Sequence, residues 1–203
     1  MVALINFGVA FFFSFIGTIP PGTLNLSILQ LGIDNKIRVA WRFALAASLI
    51  EYPYAWLAVK FEKLITSSPV FEENAQLITA VVMTLLGAFS LYTPKKTSRF
   101  TEKLSNSGFT RGLVLGILNP LALPFWVGTT AYLNSQHWID LNTSLGLQAY
   151  LIGICLGTLT LFILLVYLAQ KIASIFQEGK ILKKIPGIIL LVLGIYAFVN
   201  YFL

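Results

Sequence analysis

Charge is scarce in this chain: only 11% of its 203 residues are Asp, Glu, Lys or Arg, against 57% apolar. A surface able to face water cannot be assembled from so few charges, so a soluble globular fold is excluded. Cysteine and histidine are scarcer still. Cys155 lies in the middle of an apolar run and His137 in an expected loop, with one residue of each type in the whole chain. Disulfides and His/Cys metal centres are therefore excluded, and neither a metal nor another cofactor is expected.

What the chain has instead is long uncharged stretches: Met1 to Ile33, Asn74 to Pro94, Gly112 to Gln136, Leu141 to Gln170 and Ile185 to Leu203. A sixth apolar run, Val39 to Val59, is broken only by Arg42 and Glu51. Crossing a bilayer takes about 20 apolar residues in a helix, and backbone groups in hydrocarbon must be satisfied within each segment. These runs are too long and too uniform for barrel strands. The expectation is an all-α integral membrane protein, one transmembrane domain over residues 1–203, with six transmembrane helices in contact with the lipid bilayer. The first run has no Lys or Arg before it and no small-x-small cleavage site after it, so it reads as a retained helix, not a signal peptide.

The net charge of +6 does not point to nucleic acid, because the basic residues sit in short connections and form no stripe. Lys36, Arg38, Arg42, Lys95, Lys96, Arg99, Lys103, Arg111, Lys171, Lys180, Lys183 and Lys184, 12 of the 14 basic residues, fall after the first, third and fifth runs. The other side holds Lys60 and Lys63, offset by Glu62, Glu72 and Glu73. The excess of Lys and Arg on cytoplasmic loops predicts a multi-pass protein of the cell (inner) membrane with both termini outside the cytoplasm. Trp41, Tyr92 and Tyr167 near the cytoplasmic ends, and Tyr132, Trp138, Tyr150 and Tyr201 near the outer ends, read as interfacial belts.

Residues 94–107 are polar, basic and Ser/Thr-rich, and they split the chain into three-helix repeats at 1–93 and 108–203. An odd number of helices per repeat makes the halves face opposite ways, a 3+3 inverted repeat. The first helix of each half is interrupted by proline: Ile19-Pro20-Pro21-Gly22-Thr23 in one, Leu118-Asn119-Pro120 with Pro124 in the other. Leu85-Leu86-Gly87-Ala88-Phe89 also matches Val192-Leu193-Gly194-Ile195-Tyr196. Proline inside a helix costs about 3 kcal/mol. Matched breaks in antiparallel halves point to a central binding site, where freed N–H groups suit an anion and Thr23 is a candidate cap. The alternative is ordinary proline kinking, common in membrane helices.

Glu51 falls near the middle of its run, where a carboxylate costs at least about 2.5 kcal/mol and must face protein or water. At helical spacing Ala44, Ala47, Ser48, Tyr54, Ala55 and Ala58 share its face, while Arg42, Leu49, Pro53 and Trp56 lie opposite. Small residues mark helix-packing faces, so the carboxyl is expected to point into the bundle with Ser48 and Tyr54 beside it. Such a group can load and release protons, the requirement of proton antiport. Its alternative is a structural carboxyl bonded to a backbone carbonyl or to Tyr54. Gly108-x-x-x-Gly112-x-x-x-Gly116 and Gly153-x-x-x-Gly157 read as helix-contact surfaces, serving the bundle or a homodimer.

The run Pro20-Pro21-Gly22-Thr23-Leu24-Asn25-Leu26, the short basic loop, the alanine-rich Ala40 to Ala58 helix and Gly116-Ile117-Leu118-Asn119-Pro120 together resemble the lysine exporter (LysE/RhtB) superfamily. Thr23 stands where that family's Pro-Gly-Pro has its second proline, and Ala44, Ala46, Ala47 and Ser48 stand where its glycines do. The resemblance implies export of amino acids or related small solutes, with metal-ion exporters among the relatives.

Four classes of function are weighed. The first is a secondary transporter exporting an amino acid or similar zwitterion by proton antiport, with Pro20, Pro21, Gly22, Thr23, Asn25, Asn119 and Pro120 forming the substrate site and Glu51 carrying the proton. A divalent-cation exporter is the rival, but Glu51, Asn25 and Asn119 are few oxygens for a hard cation. A membrane enzyme or lipid-handling protein would need a nucleophile, a base or a second buried carboxylate, and none is expected. A purely structural subunit would carry helix breaks and a buried acid without return.

Overall fold

The computed structural model of the chain describes residues 1–20, 22–67, 107–119 and 121–178, with isolated positions from 77 to 88 and from 188 to 199. Among the described residues every regular element is a helix: α1 (Val2–Gly17), α2 (Thr23–Ile33), α3 (Ile37–Ser67), α4 (Gly108–Ile117), α5 (Ala122–Ser135) and α6 (Ser144–Glu178). The run from Met1 to Ile33 is thus two helices, and that from Gly112 to Gln136 falls across two more, whose axes bend by 65°. One described helix segment, Ser144–Ala169, is long and apolar enough to cross a bilayer by itself, and the bent pair α4 and α5 is a second if counted as one span. Apart from those isolated positions, the expected helices at 74–94 and 185–203 lie outside the described residues, as do the linker up to Asn106, Pro21, Pro120, Tyr92 and Tyr201.

Both interruptions close the same way on either side. At the end of α1, Thr18 N–H donates to Ser14 O and Ile19 N–H to Ile16 O; at the end of α4, Leu118 N–H donates to Val114 O and Asn119 N–H to Gly116 O. After α2, Asn35 takes a left-handed φ of 57°, and after α5 His137 does the same. In both places the two following amides reach back into the last turn: Asn35 N–H to Gly32 O and Lys36 N–H to Leu31 O, then His137 N–H to Asn134 O and Trp138 N–H to Leu133 O. These are Schellman closures, which satisfy carbonyls that a helix end leaves open. The chain's one histidine is therefore a helix stop.

Packing follows the small residues. α1 lies along α6, where Gly153 faces the backbone of Phe7 and Phe11, and Gly157 faces Phe11 and Ser14. α4 lies on α3, with Gly108 against Val39 and Gly112 against Phe43. Gly32 brings α2 onto Val166 and Ala169 of α6. Both Gly-x-x-x-Gly runs therefore serve contacts within the chain. Further along, Gly194 faces Thr84 and Ala80, joining two of the isolated described stretches.

On α3, Ala44, Ala47, Ser48, Glu51, Ala55 and Ala58 are buried while Arg42, Leu49, Pro53 and Trp56 are exposed, as the helical wheel predicts. Exposed Leu4, Leu49, Trp56, Ile152 and Leu164 give the described surface an apolar belt that suits lipid and not water. Three expectations about loops and helix ends, two on the outer side and one on the cytoplasmic side, need correction. α3 continues to Ser67, so Lys60, Glu62 and Lys63 are helical and not in a loop, and Glu62 is buried at 2% exposure. Tyr150 is wholly buried, its hydroxyl 2.9 Å from that of Thr130, and so is no interfacial anchor. Arg111 sits within α4 and donates to Ser27 Oγ of α2 at 3.3 Å, since helix α4 begins at Gly108 and carries it into the bundle.

A Cβ at Gly112 would come within 3.0 Å of Phe43 Cα. Gly112→Leu should consequently destabilise the monomer by at least about 1–3 kcal/mol, read as a lowered unfolding midpoint of the purified protein in detergent. A variant as stable as the parent but altered only in self-association would contradict the packing of α4 on α3.

Candidate functional site

Glu51 stands on α3 at the seam with α5, 9% exposed, and its Oε2 accepts a hydrogen bond of 2.6 Å from the indole Nε1–H of Trp126. Trp126 is itself 1% exposed and packs edge-on against Phe125, with ring centroids 4.9 Å apart. The ring of Phe125 occupies the space in front of Gly17, where a side chain on α1 would otherwise stand. Through this chain of contacts the end of α1, the start of α5 and the acid on α3 meet in one place. A buried ionisable group with one strong donor is held in position.

The residues around the interruptions are committed in specific ways. Asn25 on α2, 3% exposed, aims its Nδ2 back at three carbonyls, Thr18 at 2.6 Å, Ile19 at 3.3 Å and Pro20 at 3.1 Å. Its amide thus gathers acceptors left open where α1 stops. Asn119 Oδ1 accepts from Leu121 N–H at 3.3 Å and so ties the entry to α5. Thr23 is not the cap expected of it: Gly22 occupies the cap position, no side chain caps α2, and Thr23 is its exposed first residue. Neither α2 nor α5 has a side-chain cap or an acid in its first turn.

Tyr54 does not bond Glu51; its hydroxyl donates to Ile117 O at 2.6 Å, holding the last carbonyl of α4. Ser48 is buried and donates to Leu45 O of its own helix at 3.0 Å. Both supporting residues therefore brace the backbone around Glu51. A shallow cleft of about 240 Å³ opens at the α2–α3 turn, lined by Gly32, Asn35, Ile37, Val166 and Tyr167. It holds no acid, and Ile37 is about 21 Å along α3 from Glu51, so the cleft is a separate surface feature.

The LysE type translocator family model matches residues 15–200, a span that takes in both interruptions and the whole of α3. The chain belongs to this family. It is accordingly a membrane protein of a transporter family and not of an enzyme family, and export of an amino acid or similar solute is the activity that membership suggests. No curated protein and no solved structure matches it.

Sequence reasoning missed Trp126, Glu62 and Asn134. Trp126 carried a signal, because an indole far from either end of an apolar run needs a buried acceptor, and Glu51 was the acid at comparable depth. Glu62 carried one too: eleven residues of helix return to within about 20° of the same face.

Trp126→Phe keeps an aromatic ring and removes the donor. It should cost about 1–3 kcal/mol of stability, and far less when Glu51 is already Leu, which has no acceptor for the indole. A double-mutant cycle on unfolding free energies, with a coupling of at least about 1 kcal/mol expected, checks the bond.

Proposed function

We propose that this translocator exports an amino acid or similar zwitterion across the cell membrane by proton antiport, with Glu51 as the proton carrier. The observation that carries the reading is the buried Glu51 carboxyl, held by Trp126 where the end of α1 and the start of α5 converge. A carboxyl inside an apolar bundle is costly to keep, and a group alternating between protonated and ionised forms gives a reason for its presence. Family membership supports solute export, and the positive-inside pattern supports a multi-pass inner-membrane protein with both termini outside.

The substrate subsite in this reading is built from the segment Pro20-Pro21-Gly22-Thr23-Asn25 and from Asn119-Pro120. The 3+3 inverted repeat is supported by the matching closures at the ends of α1 and α4 and at the ends of α2 and α5. The uncapped first turn of α2 offers backbone N–H groups to the carboxylate of a substrate, and α5 adds the positive end of a second helix dipole, since its Ala122 N–H already donates to Asn119 O and Pro124 has none. Asn25 and Asn119 then act by shaping these ends, since their side chains are taken up by backbone groups.

Counterflow in proteoliposomes, run against a panel of amino acids and divalent cations with and without a pH gradient, tests the reading. The expected result is exchange of an amino acid, accelerated by the gradient, with Glu51→Gln losing gradient-driven accumulation at least about tenfold while remaining folded. Unchanged coupling in folded Glu51→Gln would remove the proton role; exchange of cations alone would replace the substrate class.

A further inference from the structure

Glu51 is one of two buried acids on α3. Glu62, three helical turns further on, is 2% exposed, and its Oε1 accepts from Asn134 Nδ2 at 2.8 Å. Eleven residues place the two carboxyls on the same face of α3, about 16 Å apart along the axis. Their partners on α5 are in register: Trp126 bonds Glu51 and Asn134 bonds Glu62, with Thr130 midway at four-residue spacing. Thr130 is wholly buried, and its hydroxyl lies 2.9 Å from that of Tyr150, a wholly buried residue of α6. A buried row of exchangeable groups therefore runs along the α3–α5 seam, from the middle of α3 to the exposed Asn134 near the end of α5.

We propose that Glu62 is a second proton-carrying carboxyl, exchanging protons with Glu51 through the Thr130–Tyr150 hydroxyl pair and releasing or collecting them at the outer end of the seam. The proposal rests on the proton-antiport reading of Glu51 and extends it to the path the proton takes. In the exchange, protonated Glu62 becomes a carboxylate as the Glu51 carboxylate becomes a neutral acid. Each intervening hydroxyl takes one proton and gives up another, so no charge is left on it. Thr130 stands four residues, about 6 Å along the axis, from each partner on α5, and the proposed exchange crosses those two gaps through water. Ala55, Ala58 and Val59, buried on the same stretch of α3, bring no competing polar group.

Tyr54 of α3 and Cys155 of α6 feel the charge of Glu51, and Tyr150 of α6 feels that of Glu62. Lys63, exposed, is the cation next to Glu62 along α3.

The test uses the full chain in liposomes containing a pH-sensitive dye, with a labelled mixture of the twenty protein amino acids as probe. Glu62→Gln should retain amino-acid counterflow and lose proton flux coupled to amino-acid movement at least about tenfold, with Glu62→Asp restoring most of it. A merely structural Glu62 would lower counterflow and coupled flux together. Should Glu62→Gln fail to fold, Tyr150→Phe with Thr130→Val leaves both carboxyls in place and should slow the coupled flux without slowing counterflow. Wild-type flux in folded Glu62→Gln or in that double variant, beside a Glu51→Gln protein that has lost coupling, would overturn the role of Glu62 and leave antiport standing. A parent protein that exchanges amino acids with no proton movement would overturn both.

Discussion

A carboxyl group in a helix bundle with almost no other charge needs a donor, and the indole N–H of Trp126 supplies it to Glu51. Much of the described structure is arranged around that bond. α5 must lie against the small-residue face of α3 for the 2.6 Å contact to form, and Ala47, Ala55 and Ala58 leave room for it. Phe125, the neighbour of that tryptophan, fills the space in front of Gly17, so the start of α5 packs on the end of α1. With a larger residue at Gly17 the ring could not stay there, and the acid would lose its neighbouring helix end.

The other packing contacts share this dependence on close backbone approach. In lipid, helices gain little from burying apolar side chains against each other, so contact area and hydrogen bonds must do the holding. Glycines at 108, 112, 153 and 157 let α4 meet α3 and α6 meet α1 at backbone distance. Polar residues then fasten the same seams: Ser14 Oγ donates to Ile154 O at 2.7 Å, and Asn6 Nδ2 to Asp140 O at 2.7 Å. Both residues are buried on α1 and both reach the α6 side, which fixes the rotation of α1 about its axis.

The helical class, the buried face of α3 and the glycine contacts were legible in the sequence because each depends on local spacing. Periodicity assigns Ala44, Ala47, Ser48 and Glu51 to one face without reference to any other helix. Partners were not legible, because they depend on which helix lies opposite. Glu62 illustrates the difference. Beside Lys60 and Lys63 it reads as part of a polar loop, and only the continuation of α3 to Ser67 and the arrival of Asn134 from α5 make it a buried group. Tyr150 fails for the same reason: an aromatic near the end of an apolar run looks interfacial until Thr130 covers its hydroxyl. Thr23 fails on backbone geometry, since Gly22 in extended conformation takes the cap position one residue earlier.

The two interruptions are also where local and long-range demands divide the work. A helix that stops inside an apolar bundle leaves carbonyls at one end and amides at the other, and both sets cost free energy if nothing meets them. Here the carbonyl ends are met from within the chain, by Asn25 at the end of α1 and by Tyr54 at the end of α4. The amide ends at α2 and α5 have no side-chain cap. The two ends differ: α2 starts on an open turn, whereas at α5 Ala122 N–H donates to Asn119 O, Leu121 N–H donates to Asn119 Oδ1, and Pro124 has no N–H to satisfy. An open helix start such as that of α2 carries partial positive charge, so it suits a negatively charged group better than a positive one.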